Sequence, residues 1–163
     1  MATDNPGLER TLLDTSVLSD FLQDLASGRS DTPAAKFAQG YLERYGWLEF
    51  SVITRYETRR GLLHLGNTRR LKDFDAICLM SHVIPLDFGV RGQTLYPDVW
   101  RTAEEWWAEL RAHGITIKDA DLLIAATAAV HGYALATRDK DFVTLEGRVR
   151  VIYLPRAASS TQT

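Results

Sequence analysis

Short apolar runs alternate with longer segments of helical spacing along this chain, and that alternation predicts its elements. Thr11-Leu12-Leu13 reads as a strand, and Thr15 and Ser16 suit the cap of a helix over residues 17–25. A polar stretch, 26–32, leads to Pro33, which fits a helix's first turn, and apolar spacing continues over 34–45 until Gly46 stops it. Residues 47–53 read as a second strand. Thr54 opens a helix to about Leu65, ended by Gly66-Asn67, and 68–80 makes the next. A short strand follows at 82–86. From 87 to 113 the helical pattern carries Gly89, Gly92 and Pro97, which predicts a break near Pro97 and a firm helix only from Asp98, ended by Gly114. Residues 118–131 form the most apolar helix, closed by Gly132, and such a helix belongs against a sheet. Tyr133-Ala134-Leu135-Ala136 is a strand, 137–142 a tight turn and 149–154 a last strand.

The order β-α-α-β-α-α-β-α-α-β-β implies right-handed crossovers and a mainly parallel sheet covered on both faces, an α/β fold of three layers, α/β/α. With no repeat and no linker, residues 8–154 read as one domain between terminal tails 1–7 and 155–163. The chain has 163 residues, 45% hydrophobic and 25% charged, enough to bury roughly two thirds of the unfolded surface. Its net charge of −2 excludes a global basic field, so a polyanion would need a local patch. Cys78 is the single cysteine, which excludes a disulfide framework and a cysteine zinc site and leaves a buried, inert thiol. The N-terminal residues lack a basic stretch followed by an apolar core, and no run approaches the roughly 18 apolar residues of a membrane helix, so a cytoplasmic protein without a membrane partner is expected.

Asp14, Glu57, Asp121 and Asp139 each stand where a strand ends or a helix begins. In an open α/β sheet the strand carboxyl ends share one edge, so acids from separate junctions can meet in one crevice. Each also has a structural role open to it. Asp14 suits a helix cap, and Thr54-x-x-Glu57 is a capping-box pattern. Asp121 offsets a helix dipole, though Asp119 already does so, and Ala125 and Ala128 share its face and leave room for a ligand. Asp139 and Asp141 fit a turn. The recurrence of acids at equivalent positions favours a cluster. Gathered carboxylates repel one another, a divalent cation compensates them, and oxygen-only ligands select Mg²⁺ or Mn²⁺ over zinc.

Together Leu13-Asp14-Thr15-Ser16-Val17-Leu18, Ser51-Val52-Ile53-Thr54-x-x-Glu57, Asp121-x-x-Ile124-Ala125-Ala126-Thr127-Ala128 and Thr137-Arg138-Asp139-Lys140-Asp141-Phe142 resemble PIN-domain nucleases, and more narrowly VapC-type toxins of toxin–antitoxin modules. The likeness runs from about Leu12 to Tyr153. It implies a Mg²⁺-dependent endoribonuclease, with Asp14, Glu57, Asp121 and Asp139 as metal-binding acids and Thr15 and Thr137 as supporting hydroxyls. Asp141 is a further candidate in the compact turn. The resemblance also implies an RNA substrate, a cognate antitoxin protein and a homodimer, or alternatively a PIN nuclease of RNA processing outside a toxin pair.

Residues 54–72 carry Arg55, Arg59, Arg60, Arg69, Arg70 and Lys72 against Glu57, six positive charges to one negative. Arg55, Arg59 and Arg60 are therefore expected to flank the acids and hold phosphates, the alternative being a solvated helix face. Tyr96, Trp100, Trp106 and Trp107 offer base stacking or core packing, and the dispersed His64, His82, His113 and His131 make no metal spacing. Two rivals remain. A haloacid-dehalogenase-like phosphatase would need a second aspartate where Ser16 stands, and a non-catalytic binding module would use the acids only as caps.

Overall fold

The computed structural model describes residues 8–86 and 98–158. Tyr96 and the break expected near Pro97 lie outside them. The elements follow the predicted order: β1 (Thr11–Leu13), α1 (Thr15–Ser27), α2 (Pro33–Tyr45), β2 (Glu49–Ser51), α3 (Val52–His64), α4 (Thr68–Leu79), β3 (His82–Ile84), α5 (Val99–Ala112), α6 (Asp119–Val130), β4 (Ala134–Thr137), a 3-10 turn (Lys140–Leu145) and β5 (Val151–Tyr153). The strands β1, β4 and β5 form one parallel ladder in that order, and β2 pairs in parallel with β3. β2 lies alongside β1, so the two ladders form a continuous layer.

Strand side chains alternate between faces, and here the alternation separates two cores. Leu12 and its β4 neighbour Leu135 belong to one core, with Ile124, Ala125, Ala126 and Ala128 of α6 and Leu110 of α5. Leu13 and its neighbour Ala136 belong to the other, with Val17 and Leu18 of α1, Tyr41 of α2 and Phe74 of α4. The result is a helical layer on each face of a mainly parallel sheet. Because β1 and β4 are covered on both sides, every residue in them is buried.

Several boundaries depart from the sequence reading. The predicted strand 47–53 is shorter, because Ser51 already caps a helix by accepting from the Thr54 amide at 3.1 Å, and Val52 and Ile53 are helical. Thr54 therefore does not open the helix, and the Thr54-to-Glu57 capping box is not formed. Ala125 and Ala128 are fully buried, so their small size serves close packing of α6 rather than ligand access. Cys78 is only half-buried, and burial raises its thiol pKa, with Arg55 opposing the rise. Gly46 hands α2 to β2 at φ +81°, a left-handed conformation that other residues adopt only at a cost.

At the amino end of the sheet lies a buried carboxylate. Glu49 is fully buried and accepts hydrogen bonds from Tyr41 and Arg10, with His82 Nδ1 3.2 Å away. Arg10 sits over the rings of Tyr45, Trp47 and Tyr133. Burial works against the charge of Glu49, but the hydrogen bonds from Tyr41, Arg10 and His82 outweigh it and hold the carboxyl below its ordinary value. An acid depressed in the folded state adds stability above its unfolded pKa and loses it as pH falls through the lowered value. Glu49→Ala, which leaves Arg10 and Tyr41 without their acceptor, is expected to cost about 3–5 kcal/mol in denaturant unfolding. The difference from the parent should shrink as the pH is taken below about 4.5.

Candidate active site

The carboxyl ends of β1 and β4 are adjacent, and the chain leaves them in different directions, which is where an open parallel sheet forms its crevice. Asp14 follows β1 directly, and its amide continues the ladder by donating to the Ala136 carbonyl at 2.9 Å. Its side chain is 3% exposed and is used on one side only. Oδ2 accepts from the Thr137 hydroxyl at 2.8 Å and the Ser16 hydroxyl at 2.8 Å, whereas Oδ1 is buried with no hydrogen-bond partner. Asp14 is thus the N-cap of α1, as the sequence allowed, and also the centre of a polar junction.

The junction extends to the other acids. The Thr15 hydroxyl donates to Glu57 Oε2 at 2.6 Å across the gap between α1 and α3, which gives Glu57 a tertiary partner in place of a capping role. The Asp139 amide donates to Thr137 Oγ1 at 3.0 Å, so one threonine joins Asp14 to the Asp139 loop. Asp121, in the first turn of α6, is 9% exposed and its Oδ2 is buried without a partner. Burial raises its pKa, and the charges of Asp14, Glu57 and Asp139 raise it further against Lys118, to about 6. The Asp14 carboxyl is likewise raised, mainly by burial, while its hydroxyl and amide donors pull the other way. Asp14, Glu57 and Asp139, scattered in sequence, are thus each near enough for their charges to bear on Asp121. Among the described residues no three His, Cys, Asp or Glu side chains stand close enough to make a ready-made cation cage. The donor set fits a hard divalent cation all the same: it is entirely carboxylate oxygen, and two of those oxygens are buried without a partner.

Other predicted residues fall elsewhere. Asp141 is exposed, and its amide, not its carboxylate, joins the site by donating to Asp139 Oδ1 at 2.9 Å. Arg55 and Arg59 project from α3 on the side away from Glu57, as a two-residue offset on a helix requires. They line a groove toward α4, where Arg59 pairs with Asp75 at 3.2 Å. Only Arg60 shares the Glu57 side, 3.6 Å from its carboxylate. Of the tryptophans, Trp106 packs against the core beneath Arg148, and Trp107 is half-exposed with Arg111 over its ring. Two residues were missed by sequence reasoning. Ser16 binds both Asp14 and the Arg138 amide, the latter at 3.0 Å, and its signal was the Asp-x-Ser spacing. Arg138 pairs with Asp20 at 2.8 Å and fastens the loop bearing Asp139 to α1, a contact with no local signal. Tyr153, at the end of β5, has its hydroxyl pKa raised by burial, by the charge of Glu146 and a hydrogen bond to it, and by the charge of Asp139.

A parallel sheet between two helical layers, with Asp14 and Asp121 at its carboxyl-end crevice, defines a three-layer α/β/α protein. The PIN domain model matches residues 11–147, and the chain belongs to the PIN-domain family, whose members are nucleases that generally use divalent metal ions. Among solved structures it is similar to a chain of FitAcB from Neisseria gonorrhoeae, at 26% identity over 87% of this chain and 96% of that one, with a TM-score of 0.63. The fold is also shared with chains of VapBC2 from Rickettsia felis bound to a promoter DNA fragment, at 15% identity, 88% and 97% coverage and TM-score 0.68. VapBC-1 from nontypeable Haemophilus influenzae shares it at 19% identity, 88% and 96% coverage and TM-score 0.61. No curated protein matches the sequence.

An acid whose folded pKa lies above its unfolded value penalises folding once both states have ionised. For Asp121 that penalty grows as pH rises from about 4 to about 6 and is constant above. Asp121→Asn is therefore expected to stabilise the metal-free protein at pH 7 by on the order of 2 kcal/mol, and the gain should vanish near pH 4, as read by thermal melts in EDTA. Millimolar Mn²⁺ should raise the melting temperature of the parent and leave that of Asp121→Asn nearly unmoved.

Proposed function

We propose that this protein is a Mg²⁺-dependent endoribonuclease, Mn²⁺ being able to substitute, and that it is the toxin of a toxin–antitoxin pair. The observation that supports the reading is that the charges of Asp14, Glu57 and Asp139 bear on Asp121, while one oxygen of Asp14 and one of Asp121 are buried without partners. Asp14 and Asp121 would hold the cation, with Asp139 joining directly or through water. A bound divalent cation supplies positive charge to the scissile phosphate and acidifies an attacking water. Glu57, fixed by the Thr15 hydroxyl, stands where a carboxylate can orient that water or accept its proton. Thr137 and Ser16 keep the Asp14 carboxylate in one orientation, so that Oδ1 stays directed away from its own donors. Arg60 is the cation of α3 best placed for a phosphate near Glu57.

The toxin reading is supported by the structural likeness to chains of VapBC complexes and of FitAcB. An antitoxin and a second copy of the chain are the partners it calls for. Exposed apolar side chains, Leu79 at 89% and Met80 at 69% at the end of α4 and Tyr56 and Leu63 on α3, are in keeping with a surface made to be covered. Among the described residues no helix is long and apolar enough to cross a membrane, and a cytoplasmic site of action goes with an RNA substrate.

Purified protein is expected to cleave total RNA only with Mg²⁺ or Mn²⁺, and Asp14→Asn and Asp121→Asn should each lose at least about 100-fold of that activity while remaining folded. Undiminished cleavage by both variants would overturn the assignment. Thr15→Val, which frees Glu57, should lower turnover roughly tenfold and leave metal-induced stabilisation largely intact.

A further inference from the structure

The arginines expected to grip the substrate do not all face the acids, so the counter-charge for a polyanion must come from elsewhere on the crevice. It is found across β4, on the β5 side. A cleft of about 710 Å³ opens there, beginning at Arg138, whose backbone neighbour is Asp139. Arg138, Lys140 and Arg156 line it against Glu146 alone, a basic excess in a chain whose net charge is −2. Lys140 has no ion-pair partner among the described residues and is exposed. Arg138 and Arg156 both act on Asp20, so one aspartate is shared between two guanidinium groups.

Between these cations the cleft surface is apolar and aromatic. Tyr153, 39% exposed, Val143, Leu154 and Pro155 form it, and the charge of Asp139 reaches the Tyr153 hydroxyl. Cations and an exposed aromatic ring lining one cleft are the two parts of a single-strand nucleic-acid site: phosphates follow the charge and a base stacks on the ring. An acidic protein segment would satisfy the cations but has no need of an exposed aromatic ring among them.

We propose that this cleft holds the single-stranded stretch of RNA on one side of the scissile phosphate, with a base stacked on Tyr153 and the adjoining phosphates on Lys140 and Arg156. The assignment rests on the nuclease reading for its direction, since it runs from the acids outward. Arg138 borders the scissile position and is held by Asp20, while Lys140 and Arg156 reach further along the strand. The strand path is thus set by β5 and the residues after it, and not by α3 alone.

The test uses the full chain and a fluorescein-labelled 12-nucleotide RNA of mixed sequence, with anisotropy measured in EDTA over a salt series. Tyr153→Ala should weaken binding about tenfold with the salt slope unchanged, and Tyr153→Phe should restore it, because stacking needs the ring and not the hydroxyl. The double variant Lys140→Ala/Arg156→Ala should weaken binding and reduce the slope of log K against log salt by about 0.7 for each lost phosphate contact. These side chains are exposed, so thermal midpoints should match the parent. Unchanged affinity and slope in both the Tyr153→Ala and the double variant overturn the proposal, as does a parent that fails to bind the RNA. Cleavage separates the two readings. Intact groove-variant binding in a protein whose metal-dependent cleavage is lost in Asp121→Asn overturns the groove alone. Binding that follows the groove variants in a protein that cleaves no RNA overturns the nuclease reading alone.

Discussion

The hydrogen bond from the Thr137 hydroxyl to Asp14 Oδ2 joins the ends of two adjacent parallel strands, and the geometry of the crevice depends on it. It uses one oxygen of a buried carboxylate and leaves the other unpaired, an arrangement that is costly in isolation. The same threonine oxygen accepts the Asp139 amide, and Ser16, bound to the same Asp14 oxygen, accepts the amide of Arg138. The β4 loop and the start of α1 are consequently one hydrogen-bonded unit, and an acid from each is presented to Asp121 across the gap.

The sheet treats its buried acids oppositely at its two ends. At the amino end, Glu49 receives donors from Tyr41 and Arg10, and its pKa falls despite complete burial. At the carboxyl end, Asp14 and Asp121 are nearly as buried, yet their pKa values rise: burial outweighs the hydroxyl and amide donors of Asp14, and for Asp121 burial is reinforced by the charges of Asp14, Glu57 and Asp139. Both ends are set by tertiary placement of charge, but only one is balanced from within the chain. The unbalanced end is the one suited to an external cation, and the balanced end offsets part of its cost to the fold.

Element order was legible in the sequence because each strand is a short apolar run and each helix carries a stop, such as Gly46, Gly114 or Gly132. Asp14 and Asp139 could be placed for a related reason, since one follows β1 directly and the other stands two residues after β4, and Asp121 because it lies in the first turn of α6. What could not be read is what depends on partners distant in sequence. Ser51, the last residue of β2, rather than Thr54, caps α3. Glu57 looked like a local cap, but its donor lies 42 residues away. That Arg55 and Arg59 point away from Glu57 follows from their two-residue offsets on one helix, whereas the groove toward α4 and the Asp75 partner they meet there depend on the fold.

The alternation of Leu12 and Leu13, matched by Leu135 and Ala136, has a consequence for how the molecule can go wrong. A slip of one residue between β1 and β4 would send every side chain of the strand to the opposite face. It would exchange the contents of the two cores and carry Asp14 away from Thr137 in the same movement. Correct assembly and the presence of the acid cluster are therefore a single event, and a misregistered molecule lacks the cluster altogether. The sheet acts as its own proofreader.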